Sequence, residues 1–85
     1  MTPMQYYVYI LECADKTLYT GITTNLERRL GEHRAKTGAR YTRSRQAVNI
    51  LYSEQAANRS EALKREAQIK KMRRTNKLKL VGQNT

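Results

Sequence analysis

The stretch Gln5 to Thr23, QYYVYILECADKTLYTGIT, constrains the fold more than any other part of the chain. Residues 5–12 are rich in aromatic and β-branched side chains, which predicts a strand. Residues 17–23 repeat the pattern. Residues 13–16 carry the turn between them, with Asp15 as a turn former. Period-two alternation puts Tyr7, Tyr9 and Leu11 on one face of the first strand and Tyr6, Val8 and Ile10 on the other. The second set is the more apolar and is expected to pack on the core. On the second strand Leu18, Thr20 and Ile22 oppose Tyr19, Gly21 and Thr23. A connection of three or five residues places Tyr9 and Tyr19 on a shared face. A two-residue connection places them on opposite faces, because a one-residue change of register inverts a strand. No Asn-Gly or Asp-Gly forces the two-residue case. Two tyrosines and a bare glycine on one face would make a polar floor.

The rest of the chain has to cover that hairpin with little material. At 85 residues it is expected to form one domain, 1–85, with its core at about 5–80. A domain of this size buries only about 60% of its unfolded-chain surface. Cys13 is the lone cysteine, so the monomer has no disulfide and no cysteine-based zinc site, and a reducing compartment is expected. The longest apolar run, residues 6–11, is far short of the roughly 20 residues of a membrane span. The sequence MTPMQ lacks the pattern of a signal peptide, so a cytoplasmic protein without a membrane partner is expected. Seventeen Lys and Arg against seven Asp and Glu give a net charge of +10. Such an excess repels itself unless a polyanion is present. Nucleic acid is the first such partner to expect, with anionic lipid a distant second.

Beyond the hairpin, Thr24-Asn25-Leu26-Glu27 fits a capping box, so a helix is expected from there to about Lys36, closed by Gly38. Leu26, Leu30 and His33 fall within an arc of roughly 60° on it, with Arg29 just beside. Residues 37–47 form a basic segment without apolar period, expected to be irregular. Val48, Ile50 and Tyr52 alternate with Asn49, Leu51 and Ser53, which predicts a third strand over residues 48–54. Asn58-Arg59-Ser60-Glu61 predicts a second helix, over about residues 59–74. Leu78, Leu80 and Val81 are expected to make a small satellite contact, with residues 82–85 frayed. Glu66 projects inside the apolar arc of Ala62, Leu63, Ile69 and Met72. A carboxylate there costs several kcal/mol unless it is paired or binds a metal.

Tyr9 and Tyr19 on the hairpin, Arg29 and His33 on the first helix, and Glu66 on the second thus each offer a polar group near apolar surface. Taken singly, each has a plain structural reading: strand aromatics, a solvated arginine, a structural histidine, an ordinary ion pair. Taken together and in this order, the sequence resembles the GIY-YIG nuclease family. Val8-Tyr9 stands where the family has Ile-Tyr, and Tyr19-Thr20-Gly21 where it has Tyr-Ile-Gly. Asn25-Leu26-Glu27-Arg28-Arg29-Leu30 is similar to the family's helix with its catalytic arginine, and His33 stands one turn on. Ala62-Leu63-Lys64-Arg65-Glu66 is similar to the segment ending in its metal-binding glutamate. The likeness includes small standalone bacterial members, and Gly38-Ala39-Arg40-Tyr41-Thr42 resembles a loop of the Slx-type junction endonucleases. The departures are Tyr7 for the glycine of GIY, Thr20 inside YIG, and Ile22 where many members, including the UvrC nuclease domain, carry lysine.

The resemblance implies an α+β fold, a small three-stranded antiparallel sheet flanked by helices in the order β-β-α-β-α. It implies a metal-dependent endonuclease hydrolysing phosphodiester bonds in DNA, with a role in repair or recombination. Branched or damaged DNA is the expected partner and RNA is a further one; either the substrate is chosen by its shape or a partner protein supplies the specificity. Arg29 would stabilise charge on the phosphoryl oxygens. Glu66 would hold Mg²⁺ or Mn²⁺. Tyr9 or Tyr19 would take the proton of the attacking water, and His33 would orient that base or share the proton. Gly21 would admit the scissile phosphate, and Arg40, Tyr41, Arg43 and Lys70 would bind substrate. The alternative is a nucleic-acid binder that keeps the fold with little or no catalysis. Ribosome or RNA association rests on charge alone.

Overall fold

A computed structural model describes residues 5–35 and 47–83. It is α+β. Strand β1 (Tyr6–Cys13) and strand β2 (Leu18–Thr23) are followed by helix α1 (Leu26–Arg34), strand β3 (Ala47–Ala56), helix α2 (Arg59–Lys70) and helix α3 (Arg74–Gln83). The strands form one antiparallel sheet in the order β2-β1-β3, so the hairpin's first strand is central. No helix among the described residues is long and apolar enough to cross a membrane.

The hairpin connection is three residues long. Lys16 N–H donates to the Cys13 carbonyl at 2.9 Å, Cys13 N–H donates to the Thr17 carbonyl at 3.0 Å, and Lys16 has φ 69. This is a turn closed by one left-handed residue, the usual three-residue hairpin solution. Asp15 fixes it by accepting from the Thr17 N–H at 3.1 Å. The resulting register pairs Tyr9 with Gly21 and Leu11 with Tyr19. Paired residues share a face, so Tyr9 and Tyr19 lie on the same side.

Both faces of the sheet are covered, not one. Val8 and Ile10 pack with Ala62 and Ile69 of α2. Tyr9, Leu11 and Cys13 form a second cluster against Leu26 and Leu30 of α1. The expected polar floor is therefore roofed by a helix, and Tyr9 is fully buried. The third strand is longer than expected and irregular. Ile10 faces Tyr52 while Leu11 faces Ile50, so β3 carries an extra residue, Leu51, against β1. Strict alternation would put Ile50 and Tyr52 on one face. The bulge sends Tyr52 to the Val8 cluster and Ile50 to the Tyr9 cluster, so one strand serves both cores.

Helix α2 starts where expected, with Asn58 Oδ1 accepting from the Glu61 N–H at 2.9 Å. It stops at Lys70, short of Arg74, and a third helix follows. An unbroken helix would stack Lys70 with Arg73 and Arg74 at i+3 and i+4, a repulsive spacing. The break starts a new turn on the Arg73 carbonyl, which accepts from Asn76 at 2.9 Å and Lys77 at 3.1 Å. It also brings Leu80, for which only a satellite contact was expected, onto the Val8 cluster beside Met72. Glu54 of β3 ties the layers: Arg65 and Tyr52 both donate to its carboxylate.

One buried group lacks a partner. Thr20 Oγ, on the Ile10 side of β2, has no hydrogen bond among the described residues and its residue is 3% exposed. An unsatisfied buried hydroxyl costs about 1–3 kcal/mol. Thr20→Val is therefore expected to raise stability by about 1 kcal/mol, read as a higher thermal midpoint by about 4–8 °C. An unchanged or lower midpoint would contradict this.

Candidate active site

The end of β2 turns directly into α1. Thr23 Oγ1 accepts from the Asn25 N–H at 3.1 Å, and Asn25 Oδ1 caps the helix by accepting from Arg28 N–H at 3.0 Å. The cap is Asn25 and not Thr24, one residue later than the capping-box reading. This cap sets the rotation of α1. Leu26, Leu30 and His33 face the sheet, and Arg29 lies at the border of that face, 28% exposed.

Two of these groups, His33 and Arg29, meet at the hydroxyl of Tyr9. Tyr9 Oη lies 2.9 Å from His33 Nε2, and Arg29 Nε donates to the same oxygen at 3.4 Å. Burial, and then the charge of Arg29, hold the His33 pKa below its ordinary value. Burial also pushes the Tyr9 phenol up to about 12, against the opposing hydrogen bond from Arg29. Near neutral pH the phenol is therefore protonated and the imidazole neutral. Tyr9 donates to Nε2 and accepts from Arg29, which places the imidazole proton on Nδ1. Tyr19 completes the group. Its ring meets His33 edge-on at 5.3 Å between centroids and Tyr9 at 6.3 Å, and it remains partly exposed.

Gly21 has a direct reason in this packing. A Cβ there would lie 2.6 Å from Tyr9 Oη and 2.8 Å from Tyr9 Cζ. The room above Gly21 is taken by the phenol, whereas the sequence reading reserved it for a phosphate.

Glu66 on α2 is 19% exposed, and its partner among the described residues is Lys70 Nζ at 3.8 Å, beyond hydrogen-bond length. Its charge reaches Tyr9, where it opposes ionisation of the phenol. The sequence did not single out Glu32, which accepts from Arg29 Nη1 at 3.1 Å. The signal was present, since residues three apart on a helix are neighbours. Arg40, Tyr41 and Arg43 lie outside the described residues. Lys70 stands one turn from Glu66. Among the described residues no three His, Cys, Asp or Glu side chains cluster. A single, largely sheltered carboxylate without a hydrogen bond among the described residues suits a hard cation that keeps most of its water, as Mg²⁺ does, and does not suit a closed zinc or calcium cage.

Comparison with known proteins adds independent findings. A model of the GIY-YIG catalytic domain matches residues 5–79. The chain is similar to the UPF0213 protein of Syntrophus aciditrophicus, 60% identical over 79 residues, covering 92% of this chain and 91% of that one. It is also similar to the UPF0213 protein of Natronomonas pharaonis, 50% identical over 80 residues and 94% of both chains. Among solved structures, the solution NMR structure of the UPF0213 protein from Bacillus halodurans superposes with a TM-score of 0.59. It is 39% identical, and the match covers 93% of this chain and 84% of that one.

Two outcomes test the geometry. Gly21→Ala forces the buried phenol to move, and overpacking of this kind costs about 1–3 kcal/mol. The variant is expected to lose that much stability in denaturant titration; wild-type stability would show that the space is not filled by Tyr9. His33 is the only histidine, so its ring resonances can be followed by NMR without ambiguity. They are expected to titrate below the ordinary 6.5. The associated stability is complete above the unfolded-state value and is lost as pH falls through the folded-state one. Titration at or above 6.5 would remove the neutral-imidazole assignment.

Proposed function

Because the chain belongs to the GIY-YIG catalytic-domain family, a family of nucleases, we propose that it is a divalent-metal-dependent endonuclease acting on DNA. The observation that carries the reading is the meeting of Tyr9, His33 and Arg29 at one oxygen, with Tyr19 against the same imidazole.

Arg29 is the phosphate-binding group. Nε is turned to Tyr9 and one Nη1 proton to Glu32, so the guanidinium is held at two points. Its other N–H groups, those of Nη2 and the second of Nη1, form an edge with the spacing of two phosphate oxygens. As a phosphoryl centre is attacked, charge grows on those oxygens, and preorganised donors stabilise that charge without reorganising. Glu32 acts as a positioning residue that keeps the guanidinium aimed.

The two tyrosines divide the work. Tyr9 is fully buried and its phenol is pushed to about 12, which suits a fixed donor and not a base. Tyr19 is partly exposed and is the phenol that solvent and substrate reach. Tyr19 acts as its phenolate, favoured by positive charge nearby, and becomes the neutral phenol when it takes the proton of the attacking water, with the neutral His33 ring against its flank. Glu66 would hold the cation, Mg²⁺ or Mn²⁺, and a cation bound there would supply Lewis-acid stabilisation of negative charge developing in the reaction.

Purified protein would be incubated with plasmid, single-stranded and branched DNA, with Mg²⁺, Mn²⁺ or chelator, beside Arg29→Ala and Glu66→Gln. The branched arm addresses a repair or recombination substrate. Cleavage by the wild type is expected to need the metal. Each variant is expected to be slower by about 10²–10³-fold in single turnover, the usual cost of a lost charge-stabilising group. Equal cutting by all three proteins, or binding without cutting by any, would sink the nuclease reading.

A further inference from the structure

Beyond Arg29 the surface continues into an open cleft of about 400 Å³, lined by Tyr6, Ile22, Thr23, Arg28, Arg29, Glu32 and Arg59 among others. Its walls come from the start of β1, the end of β2, α1 and the first residue of α2. Arg29 belongs to both places, since its Nε reaches Tyr9 while its side chain forms part of the cleft wall.

Lys64, Arg65 and Lys70 each face an acidic side chain, as does Arg29. Among the described residues Arg28 and Arg59 lack an acid partner, as do Lys16, Lys71, Arg73, Arg74, Lys77 and Lys79, and what sets this pair apart is that two helices bring them to one cleft. With Arg29 that makes three guanidinium groups against the single carboxylate of Glu32, which Arg29 already engages. Folding brings these like charges together and, among the described residues, leaves two of the three without a carboxylate. A ligand with regularly spaced negative charge removes that repulsion. The volume lies toward the lower end of the roughly 300–1,000 Å³ of small-ligand sites, and Tyr6 offers an aromatic wall of the kind on which bases stack.

We propose that this cleft is a second phosphate subsite, in which Arg28 and Arg59 grip the backbone of the substrate strand next to the phosphate held by Arg29. The proposal rests on the nuclease reading for the position of the scissile phosphate, but the binding it describes does not require cleavage. The recognised chemistry is the phosphodiester, shared by DNA and RNA. Arg28 and Arg59 set the affinity and register of the strand and take no part in the reaction.

The test is equilibrium binding of short fluorescein-labelled single strands, one DNA and one RNA of the same sequence, in chelator across a range of salt. Wild type is compared with the double variant Arg28→Gln/Arg59→Gln and with the charge-matched control Lys16→Gln/Lys64→Gln. Lys16 lies in the hairpin turn, beyond the Glu12–Leu18 pair, while the cleft lies at the Tyr7–Thr23 end. The two ends are roughly 17 Å apart at about 3.4 Å per residue. Thermal midpoints establish that both doubles fold. The cleft double is expected to bind roughly tenfold more weakly. Its salt slope should fall by about 1.4, or about 0.7 for each lost phosphate contact on a single strand. The control should stay near wild type. With metal restored, the cleft double should show a raised KM and an unchanged kcat. Equal loss in both doubles would mean bulk charge alone and would overturn the subsite, as would wild-type binding by the cleft double. Loss of binding confined to the cleft double, in a protein that never cuts, would leave the subsite standing and remove the nuclease. Parallel losses on DNA and RNA support recognition of the phosphodiester itself. A loss on one alone overturns that part of the proposal and points to recognition of the sugar.

Discussion

Tyr9 sits fully buried on the central strand, and its hydroxyl is satisfied from helix α1, by His33 at 2.9 Å and Arg29 at 3.4 Å. Left without partners, that hydroxyl would cost about 1–3 kcal/mol, a sizeable share of the stability of so small a domain. Much of the surrounding architecture follows from meeting this demand. The helix must lie across the Tyr9 face at a fixed rotation, which the Asn25 cap and the Thr23 turn provide. The residue opposite Tyr9 must have no side chain, which Gly21 provides. The hairpin must bring Gly21 and no neighbour opposite Tyr9, which the three-residue turn through Lys16 provides.

The two faces of the sheet carry different burdens. The Val8–Ile10 face packs against α2 and is apolar throughout, apart from the Thr20 hydroxyl. The Tyr9 face mixes Leu11, Leu26 and Leu30 with a phenol and an imidazole. Polar groups are tolerated there because they satisfy one another. The consequence is a site whose interior groups are buried and neutral near neutral pH, with its charged groups at the border. Tyr9 and His33 are fully buried, while Arg29, Glu32 and Glu66 keep some exposure. Glu66 belongs to the helix of the opposite layer, yet its charge is felt at Tyr9. The proposed site therefore draws on both layers, and the placement of Glu66 depends on how α2 is fixed. The Glu54–Arg65 pair and the Asn58 cap do that from outside the site.

Much of this was legible in the sequence because it depends on local period. The hairpin strands, the helix carrying Arg29 and His33, and the cap at Asn58 all follow from spacing. The shared face of Tyr9 and Tyr19 was legible only as a condition on turn length. Lys16 takes a left-handed conformation for which lysine carries no signal, so the turn could not be chosen in advance. The bulge at Leu51 was hidden for a related reason. Alternation of Ile50 and Tyr52 looks regular, and only the demands of two separate cores reveal that it breaks. The end of α2 was misplaced because Met72 continues the apolar arc, while the repulsion among Lys70, Arg73 and Arg74 acts against it. Burial of Tyr9 was missed because a tyrosine face reads as polar until a helix is found to supply its partners.

The acidic residues explain why the charge excess is more than a bulk property. The chain has seven, and four of them, Glu32, Glu54, Glu61 and Glu66, face a cation among the described residues. Each lies within its own element or ties two packed elements. These pairs are at least partly exposed, so they add little to stability. Their effect is on placement: a cation with a carboxylate neighbour has a fixed direction. Glu32 gives Arg29 such a direction, whereas Arg28 and Arg59 have no such carboxylate among the described residues. A chain with more acids would fold with less self-repulsion, but those acids would also neutralise the cleft beside Arg29. The imbalance in composition and the distribution of ion pairs are therefore linked: the few acids that face a cation among the described residues are committed elsewhere, and Arg28 and Arg59 stand beside Arg29 without a carboxylate of their own.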